Sequence, residues 1–153
     1  MKKLLMALVL SLVVSASCFA AGASGRFAAE EKAADALIAA LIGNGTYEQV
    51  SKSFGKPVKA KIAKAEQFVA FKNEIKNRIG EIKNPNFVQL IKEYDWQKGY
   101  SGVDVLIYLG AVAQDKFVRI SIIFAEENKA LKIVDFGVRQ LNIQRKNEAA
   151  TKQ

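Results

Sequence analysis

The chain has 153 residues, and its 23 lysines and arginines outnumber its 15 acidic residues, giving a formal net charge of +8. It contains no histidine and a single cysteine, Cys18. These counts exclude a histidine-based catalytic triad, zinc or haem sites with histidine ligands and an intrachain disulfide. No cofactor is expected, and no metal site, since no run of spaced aspartates like that of a calcium-binding loop occurs.

The N-terminal segment has the pattern of a secretory signal. Lys2 and Lys3 precede an apolar run from Leu4 to Val14 with one serine, Ser11, and this run is too short for a membrane-spanning helix of roughly 20 residues. Cys18 and Ala20 occupy the −3 and −1 positions of a site that favours cleavage after Ala20. The sequence therefore predicts an exported protein, periplasmic or secreted, with no transmembrane segment in the mature chain.

Cys18 leaves a second outcome open, because it could become the lipidated first residue of a lipoprotein. A lipoprotein signal requires a leucine-like residue three positions before the cysteine, and that position is Ser15. The pattern therefore favours removal of residues 1–20 as a signal peptide, which takes two lysine charges with it. The remaining chain contains no cysteine and has a length that suits one domain with a single core.

Helical signals follow a small-residue spacer at 21–25, which we expect to be mobile. Apolar residues recur at steps of three and four, glycines stand where helices end, and Thr46 and Gln49 have the spacing of a capping box. The pattern predicts three helices: one at 26–42, one from Thr46 that Gly-Lys-Pro at 55–57 ends, and one at about 64–82.

Strand signals fill the second half of the chain, where the apolar period changes to two. The pattern predicts four antiparallel strands, around 86–97, 103–111, 117–124 and 134–138, with polar hairpin breaks at 113–116 and 126–130. Helices followed by strands segregate in space, so the predicted fold is an α+β domain with the third helix across one sheet face. The domain spans 26–141, and the polar residues 142–153 form a tail.

The order of these elements resembles a known family. A helix, NGTYEQVSKSF, the amphipathic helix FVAFKNEIKNRIGEI and a meander that ends in FVRISIIFAEENKALKIVDFGV are similar to small exported bacterial domains of unknown function. Those domains have the cystatin-like architecture of the nuclear-transport-factor-2-like superfamily, and the resemblance covers about 27–138. It implies a curved sheet that wraps the long helix, in some members with a cavity between them. The superfamily includes isomerases, dehydratases, ligand carriers and interaction domains, so the resemblance implies no single function.

Aromatic residues near an aspartate form the first candidate site, with Tyr94, Trp96, Tyr108 and Asp104 as possible pocket residues. If Tyr94 and Trp96 share a strand face that lines a cavity, their rings could hold a small apolar ligand. In such a cavity, a buried Asp104 with a raised pKa could act as a base beside Tyr108, as an isomerase or hydrolase requires. In the other interpretation the aromatic residues complete the core and Asp104 faces solvent.

A basic segment is the second candidate site. Residues 52–83 include nine basic and three acidic residues. This local excess of positive charge could bind anionic lipid headgroups or a polyanionic envelope polymer. The candidate residues are Lys52, Lys56, Lys59, Lys61 and Lys64. Nucleic acid is not expected as a partner, because Phe68 and Phe71 fall on the apolar helix stripe instead of among the lysines. The other interpretation is a solvated face that aids solubility.

These patterns predict an exported, non-enzymatic module that binds a small molecule or an envelope protein of unknown identity. Two alternatives stay open. One is a cavity enzyme of the isomerase or hydrolase type that uses Asp and Tyr. The other is an interaction module that recognises anions through the Lys52–Lys83 face.

Overall fold

The computed structural model describes residues 24–43, 45–113 and 116–141. The predicted signal peptide with Cys18 and the predicted polar tail at 142–153 lie outside these residues. Within them, four helices precede a four-stranded antiparallel sheet, which confirms the predicted α+β class. None of the helices in this part of the chain is long and apolar enough to cross a membrane.

The first helix, α1, spans 24–42 and begins earlier than predicted. Ser24 and Gly25, which the sequence assigns to the spacer, therefore belong to this helix. The backbone amide of Gly43 donates to the carbonyl oxygen of Ala39 at 2.9 Å. This bond satisfies one of the last carbonyl groups of α1 and ends the helix where the glycines predict.

Two short helices follow where the sequence predicts one. The helix α2 spans Tyr47–Ser51, and the amide of Thr46 donates to Oε1 of Gln49 at 2.9 Å, as the capping-box spacing predicts. Gly-Lys-Pro at 55–57 is predicted to end a helix, but it begins α3, Lys56–Lys61. The physical reason is that proline in the first turn of a helix removes no intrahelical hydrogen bond and its fixed φ suits the helix.

The long helix, α4, spans Ala65–Ile79. It ends before the predicted boundary because Gly80 has a φ of 105°, a conformation that residues with side chains rarely adopt. Phe68 and Ile75 are buried on its apolar face. Ile82, where the sequence predicts the end of this helix, is buried but lies beyond the helix.

Four strands complete the described chain: β1 (Lys83–Asp95), β2 (Gly99–Ala113), β3 (Lys116–Glu127) and β4 (Ala130–Leu141). They pair in the order β1-β2-β3-β4, so each strand lies beside its neighbour in sequence, as predicted. Asn128 and Lys129 join β3 to β4 with positive φ at both residues, as a type I′ hairpin turn requires.

The core lies on one face of the sheet. Alternate residues of the strands, such as Leu106 of β2 and Ile120 of β3, meet the buried residues of all four helices, among them Leu37 and Phe68. We call the opposite side of the sheet the outer face. Ile107 of β2 lies on that face, and it is buried although it does not belong to the core cluster.

Candidate functional site

The structure places the four predicted pocket residues in two different environments. Trp96 lies in the turn after β1 and is 90% exposed, and Tyr94 near the end of β1 is 67% exposed. Tyr108 and Asp104 are buried on the core face of β2. The two exposed rings and the two buried side chains therefore do not line one enclosed cavity, and a role for them in ligand binding stays a prediction.

The side chain of Asp95 stabilises the turn between β1 and β2. Its Oδ1 accepts hydrogen bonds from the backbone amides of Gln97 and Lys98, both at 2.9 Å. This side chain therefore closes the turn in the manner of an Asx turn. The turn leaves the indole of Trp96 exposed to solvent.

Asp104 lies at the centre of a charge cluster that joins α1 to the sheet. Its Oδ2 accepts a hydrogen bond from Nε of Arg26 at 2.9 Å, and its Oδ1 lies 3.4 Å from Nζ of Lys92. Arg26 Nε also lies 3.0 Å from Oε1 of Glu30, and Arg26 Nη2 donates to the carbonyl oxygen of Gly102 at 2.9 Å. Asp104 is 0% exposed, so the interpretation in which it faces solvent is wrong. It can be buried because its charge is paired.

We name these groups the Arg26 cluster: Arg26, Glu30, Lys92, Tyr100 and Asp104. The ring of Tyr100 adds to it, with the guanidinium carbon of Arg26 at 5.6 Å and Lys92 Nζ at 4.9 Å from the ring centroid. These distances suit cation–π attraction. The cluster therefore combines charge pairing with an aromatic cover.

The two buried carboxyl groups of the Arg26 cluster have opposite pKa shifts. Burial acts to raise the pKa of Asp104, but hydrogen bonds from Tyr100 and the other members of the cluster hold it below its ordinary value. Burial raises the pKa of Glu30 to about 7, and the adjacent charge of Asp104 adds to that shift. Oε2 of Glu30 has no hydrogen-bond partner among the described residues. Near neutral pH, Asp104 is therefore ionised while Glu30 is partly protonated.

This geometry is unfavourable for the predicted enzymatic base. The tyrosine beside Asp104 is Tyr100, whose pKa is raised by burial and by its hydrogen bond with Asp104. Tyr108 instead donates to Oδ1 of Asp35 at 3.3 Å. A general base requires an oxygen within reach of the substrate proton and a pKa near the working pH. Both carboxylate oxygens of Asp104 contact cations, and the pKa of this group is lowered. The contacts therefore indicate that Asp104 pairs with Arg26.

The five lysines of the predicted anion patch are exposed, on α3 and in the segments that flank it. In the part of the chain that the structure describes, Lys61 pairs with a carboxylate, with its Nζ 3.6 Å from Oδ1 of Asp135. Lys52, Lys56, Lys59 and Lys64 have no such partner there. Their recognition of an anion stays a prediction.

A groove of about 430 Å³ lies between α3, α4 and β4, and we call it the α3–α4–β4 groove. Its apolar lining consists of Val58, Ile62, Ala70, Phe71 and Phe136. Its polar lining consists of Lys61, Gln67, Glu74 and Asp135, all exposed to solvent. An apolar concavity of this size with a few polar groups at its edge is typical of a small-molecule site.

Backbone hydrogen bonds fix the position of the groove walls. The amide of Gly55 donates to the carbonyl oxygen of Ile133, and the amide of Ile133 donates to that of Ser53, both at 2.8 Å. The rings of Phe71 and Phe136 meet edge to face, with their centroids 5.4 Å apart. The start of α3 is therefore hydrogen-bonded to β4, and α4 packs on β4 through the two rings. The groove is therefore formed without a ligand.

Sequence reasoning missed both the groove and the Arg26 cluster. It assigned Lys61 to the anion patch, Phe71 to a helix stripe and Phe136 to a strand, and only the tertiary structure brings these three together. Arg26 and Glu30 did carry a signal, because opposite charges four residues apart in a helix form pairs.

No family model, curated protein or solved structure matches this chain. The functional argument therefore depends on the geometry of the sites themselves.

Proposed function

We propose that this protein is a small exported, non-enzymatic module of the cell envelope that binds a small amphipathic ligand in the α3–α4–β4 groove. The observation that carries the proposal is the groove, with its apolar lining and polar edge. Export is supported by the signal pattern at 1–20. We also propose the cystatin-like arrangement of the nuclear-transport-factor-2-like superfamily, supported by the four-stranded meander with helices on one face.

The lining of the groove defines the chemistry of the ligand. Phe71 and Phe136 offer ring surfaces to an aromatic or branched apolar group. At the edge, the side chains of Lys61 and Asp135 are 72% and 56% exposed, and a pair so exposed contributes little to stability. A polar or charged group of the ligand can therefore replace one partner of this pair at small cost. The ligand class is an apolar body with one polar or ionic substituent.

A fluorescence titration with 1-anilinonaphthalene-8-sulfonate, an apolar probe that carries one anionic group, tests this proposal. The Ala70→Trp substitution places an indole in the groove, and Val69→Trp places the same group on the adjacent, 52% exposed position of α4, outside the lining. Ala70→Trp is expected to weaken binding by roughly tenfold or more, because the indole occupies the volume that the probe requires. Val69→Trp is expected to bind as the unsubstituted protein does. Equal affinity in the two variants contradicts the proposal.

Intact-mass measurement of the exported protein tests its processing. A chain that begins at Ala21 is the expected result. A diacylglyceryl modification on Cys18 supports the lipoprotein alternative, and retention of residues 1–20 contradicts export by this signal.

A further inference from the structure

Two arginines lie opposite each other in neighbouring strands on the outer face of the sheet, and neither lines the α3–α4–β4 groove. Arg119 of β3 is the direct cross-strand partner of Arg139 of β4. Like charges placed directly opposite each other in an antiparallel pair destabilise the sheet. This arrangement is therefore unfavourable by itself, and a bound anion beside the two side chains would relieve the repulsion.

Neither member of this arginine pair is neutralised within the described residues. The salt bridges there include no contact of Arg119 or Arg139 with a carboxylate. Nε of Arg119 donates to Oγ of Ser121 at 2.9 Å, which orients the guanidinium along the strand. One acidic residue, Asp135, also lines the depression, and its Oδ1 lies 3.6 Å from Nζ of Lys61. The pair therefore keeps its positive charge available to an external anion.

The surface around the arginine pair is concave. A depression of about 330 Å³ is lined by Arg119, Ser121, Gly137 and Arg139, with Asp135 at one end. Gly137 is the cross-strand partner of Ser121, and a Cβ atom built on it meets nothing within 4 Å. The missing side chain thus leaves open space beside the Ser121 hydroxyl, which can donate a hydrogen bond to an oxyanion.

Apolar residues of β2 adjoin this depression. Leu109 is the cross-strand partner of Arg119, and Ile107 is the partner of Ser121. Both point to the outer face, where Ile107 is buried and Leu109 keeps part of its surface exposed beside Arg119 of β3. A ligand whose phosphate reaches the arginines can therefore rest an attached apolar group on β2.

We propose that Arg119 and Arg139, with Ser121, form a binding site for the phosphate group of an amphipathic molecule on the outer face of the sheet. Guanidinium groups match phosphate oxygens in a bidentate geometry, which a lysine cannot supply. The two arginines belong neither to the Lys52–Lys64 patch nor to the lining of the α3–α4–β4 groove, although the depression and the groove share Asp135 and Phe136 at their border. The phosphate group that binds there can belong to a soluble phosphomonoester or to a phospholipid headgroup.

Heteronuclear NMR titrations at constant ionic strength test the site with inorganic phosphate and with hexyl phosphate. Saturable shifts are expected at the amides of Ser121 and Gly137 and at the Nε–Hε group of Arg119. Hexyl phosphate is expected to bind several-fold more tightly than inorganic phosphate, because its chain covers the half-buried side chains of Leu109 and of Ile123, which lines the depression. The absence of saturable shifts with both probes overturns the proposal, as does equal affinity for them.

Matched charge variants locate the site. The double substitution Arg119→Gln/Arg139→Gln is expected to weaken hexyl phosphate binding by about tenfold or more, since two charge-assisted interactions are lost. Lys56→Gln/Lys59→Gln changes the net charge by the same amount and is expected to alter the affinity by less than about twofold. Equal loss in both variants, or a larger loss in the lysine variant, overturns the proposal. Thermal unfolding of the arginine variant at or above the melting temperature of the unsubstituted protein shows that the loss is not due to misfolding.

Vesicle sedimentation separates the two sources of the phosphate group. If phosphatidylglycerol vesicles bind the protein, phosphatidylcholine vesicles do not and Arg119→Gln/Arg139→Gln abolishes binding, the site accepts a lipid headgroup. If neither vesicle binds while hexyl phosphate does, the site accepts a soluble phosphomonoester. Binding to phosphatidylglycerol that survives the double arginine substitution overturns the headgroup assignment.

Discussion

The helices α1 and α4 both pack apolar residues on the same face of one sheet, and they differ in the further contacts that join each of them to a strand. Arg26 of α1 reaches β2 through hydrogen bonds to Asp104 and to the carbonyl oxygen of Gly102. Phe71 of α4 reaches β4 through its ring contact with Phe136. Paired charges depend on pH and on the presence of both partners, whereas aromatic contacts depend on buried area. One sheet can therefore have a pH-sensitive end and a pH-insensitive end.

The largest effect is expected from Phe54→Ala at the aromatic end. Phe54 is 1% exposed, and its ring contacts those of Tyr47, Phe68 and Phe136. Loss of its transfer free energy and the cavity left behind should lower the free energy of unfolding by about 3–5 kcal/mol. Urea denaturation at pH 5 and pH 8 should give the same loss at both values. A loss that changes strongly between them contradicts the proposed difference between the two ends.

Asp104→Ala should have the next largest effect, and it acts at the charged end. The substitution leaves Arg26 and Lys92 without their shared partner, and breaking a buried ion pair costs about 3 kcal/mol or more. Asp95→Ala is the matched control, because Asp95 lies in an exposed turn and should cost about 1 kcal/mol. Urea denaturation at pH 7 compares them. Similar losses in the two variants show that the Arg26 cluster does not anchor α1.

The pH dependence of stability should follow Glu30. Its pKa in the folded chain is about 7, above its ordinary value of 4.5, so the folded state binds more protons between these values. The contribution of Glu30 to the free energy of unfolding is therefore fully present below about pH 4.5 and is lost as the pH rises through 7. Glu30→Gln should remove this decline and raise the free energy of unfolding at pH 8 by roughly 1–3 kcal/mol. The low pKa of Asp104 acts in the opposite direction, with stability lost as the pH falls below about 3.8.

Denaturation curves measured from pH 4 to pH 9 in both proteins check the Glu30 prediction. A decline of the same size in Glu30→Gln shows that another group is responsible. Glu31→Gln, at the next and exposed position of α1, is a control of equal charge and should keep the decline.

The smallest effect is expected at the edge of the α3–α4–β4 groove. Asp135→Ala removes the exposed pair with Lys61 and should change the free energy of unfolding by less than about 1 kcal/mol. High salt should make the variant and the unsubstituted protein equal, because screening weakens an exposed pair. A larger, salt-independent loss indicates that Asp135 has a structural role.

The strands and the long helix could be predicted because each follows a local rule. The period of two between 103 and 124 and the amphipathic stripe around Phe68 depend only on side chains that one element presents to one face. The sequence does not decide the role of residues 55–57, because glycine and proline are compatible both with the end of one helix and with the first turn of the next.

The burial of Asp104 could not be predicted from its own strand. Alternation places Asp104 on the same face as Leu106 and Tyr108, but a charged residue on a core face requires a partner that the local pattern does not reveal. That partner, Arg26, lies 78 residues earlier in the chain. The sequence contained one indication. Arg26 and Glu30 are four residues apart, a spacing that lets Glu30 orient the guanidinium group of Arg26 on α1.

The sequence by itself determined the α+β class, the order of helices and strands, the meander and the predicted export signal, because these follow from composition and periodicity. Tertiary structure alone decided which side chains meet: Arg26 with Asp104, Phe71 with Phe136, and Arg119 with Arg139. These side-chain contacts depend on the strand register and on how the helices cross the sheet. Shifting a strand by one residue moves every side chain to the other face, so the candidate sites exist only at the register that the folded chain adopts.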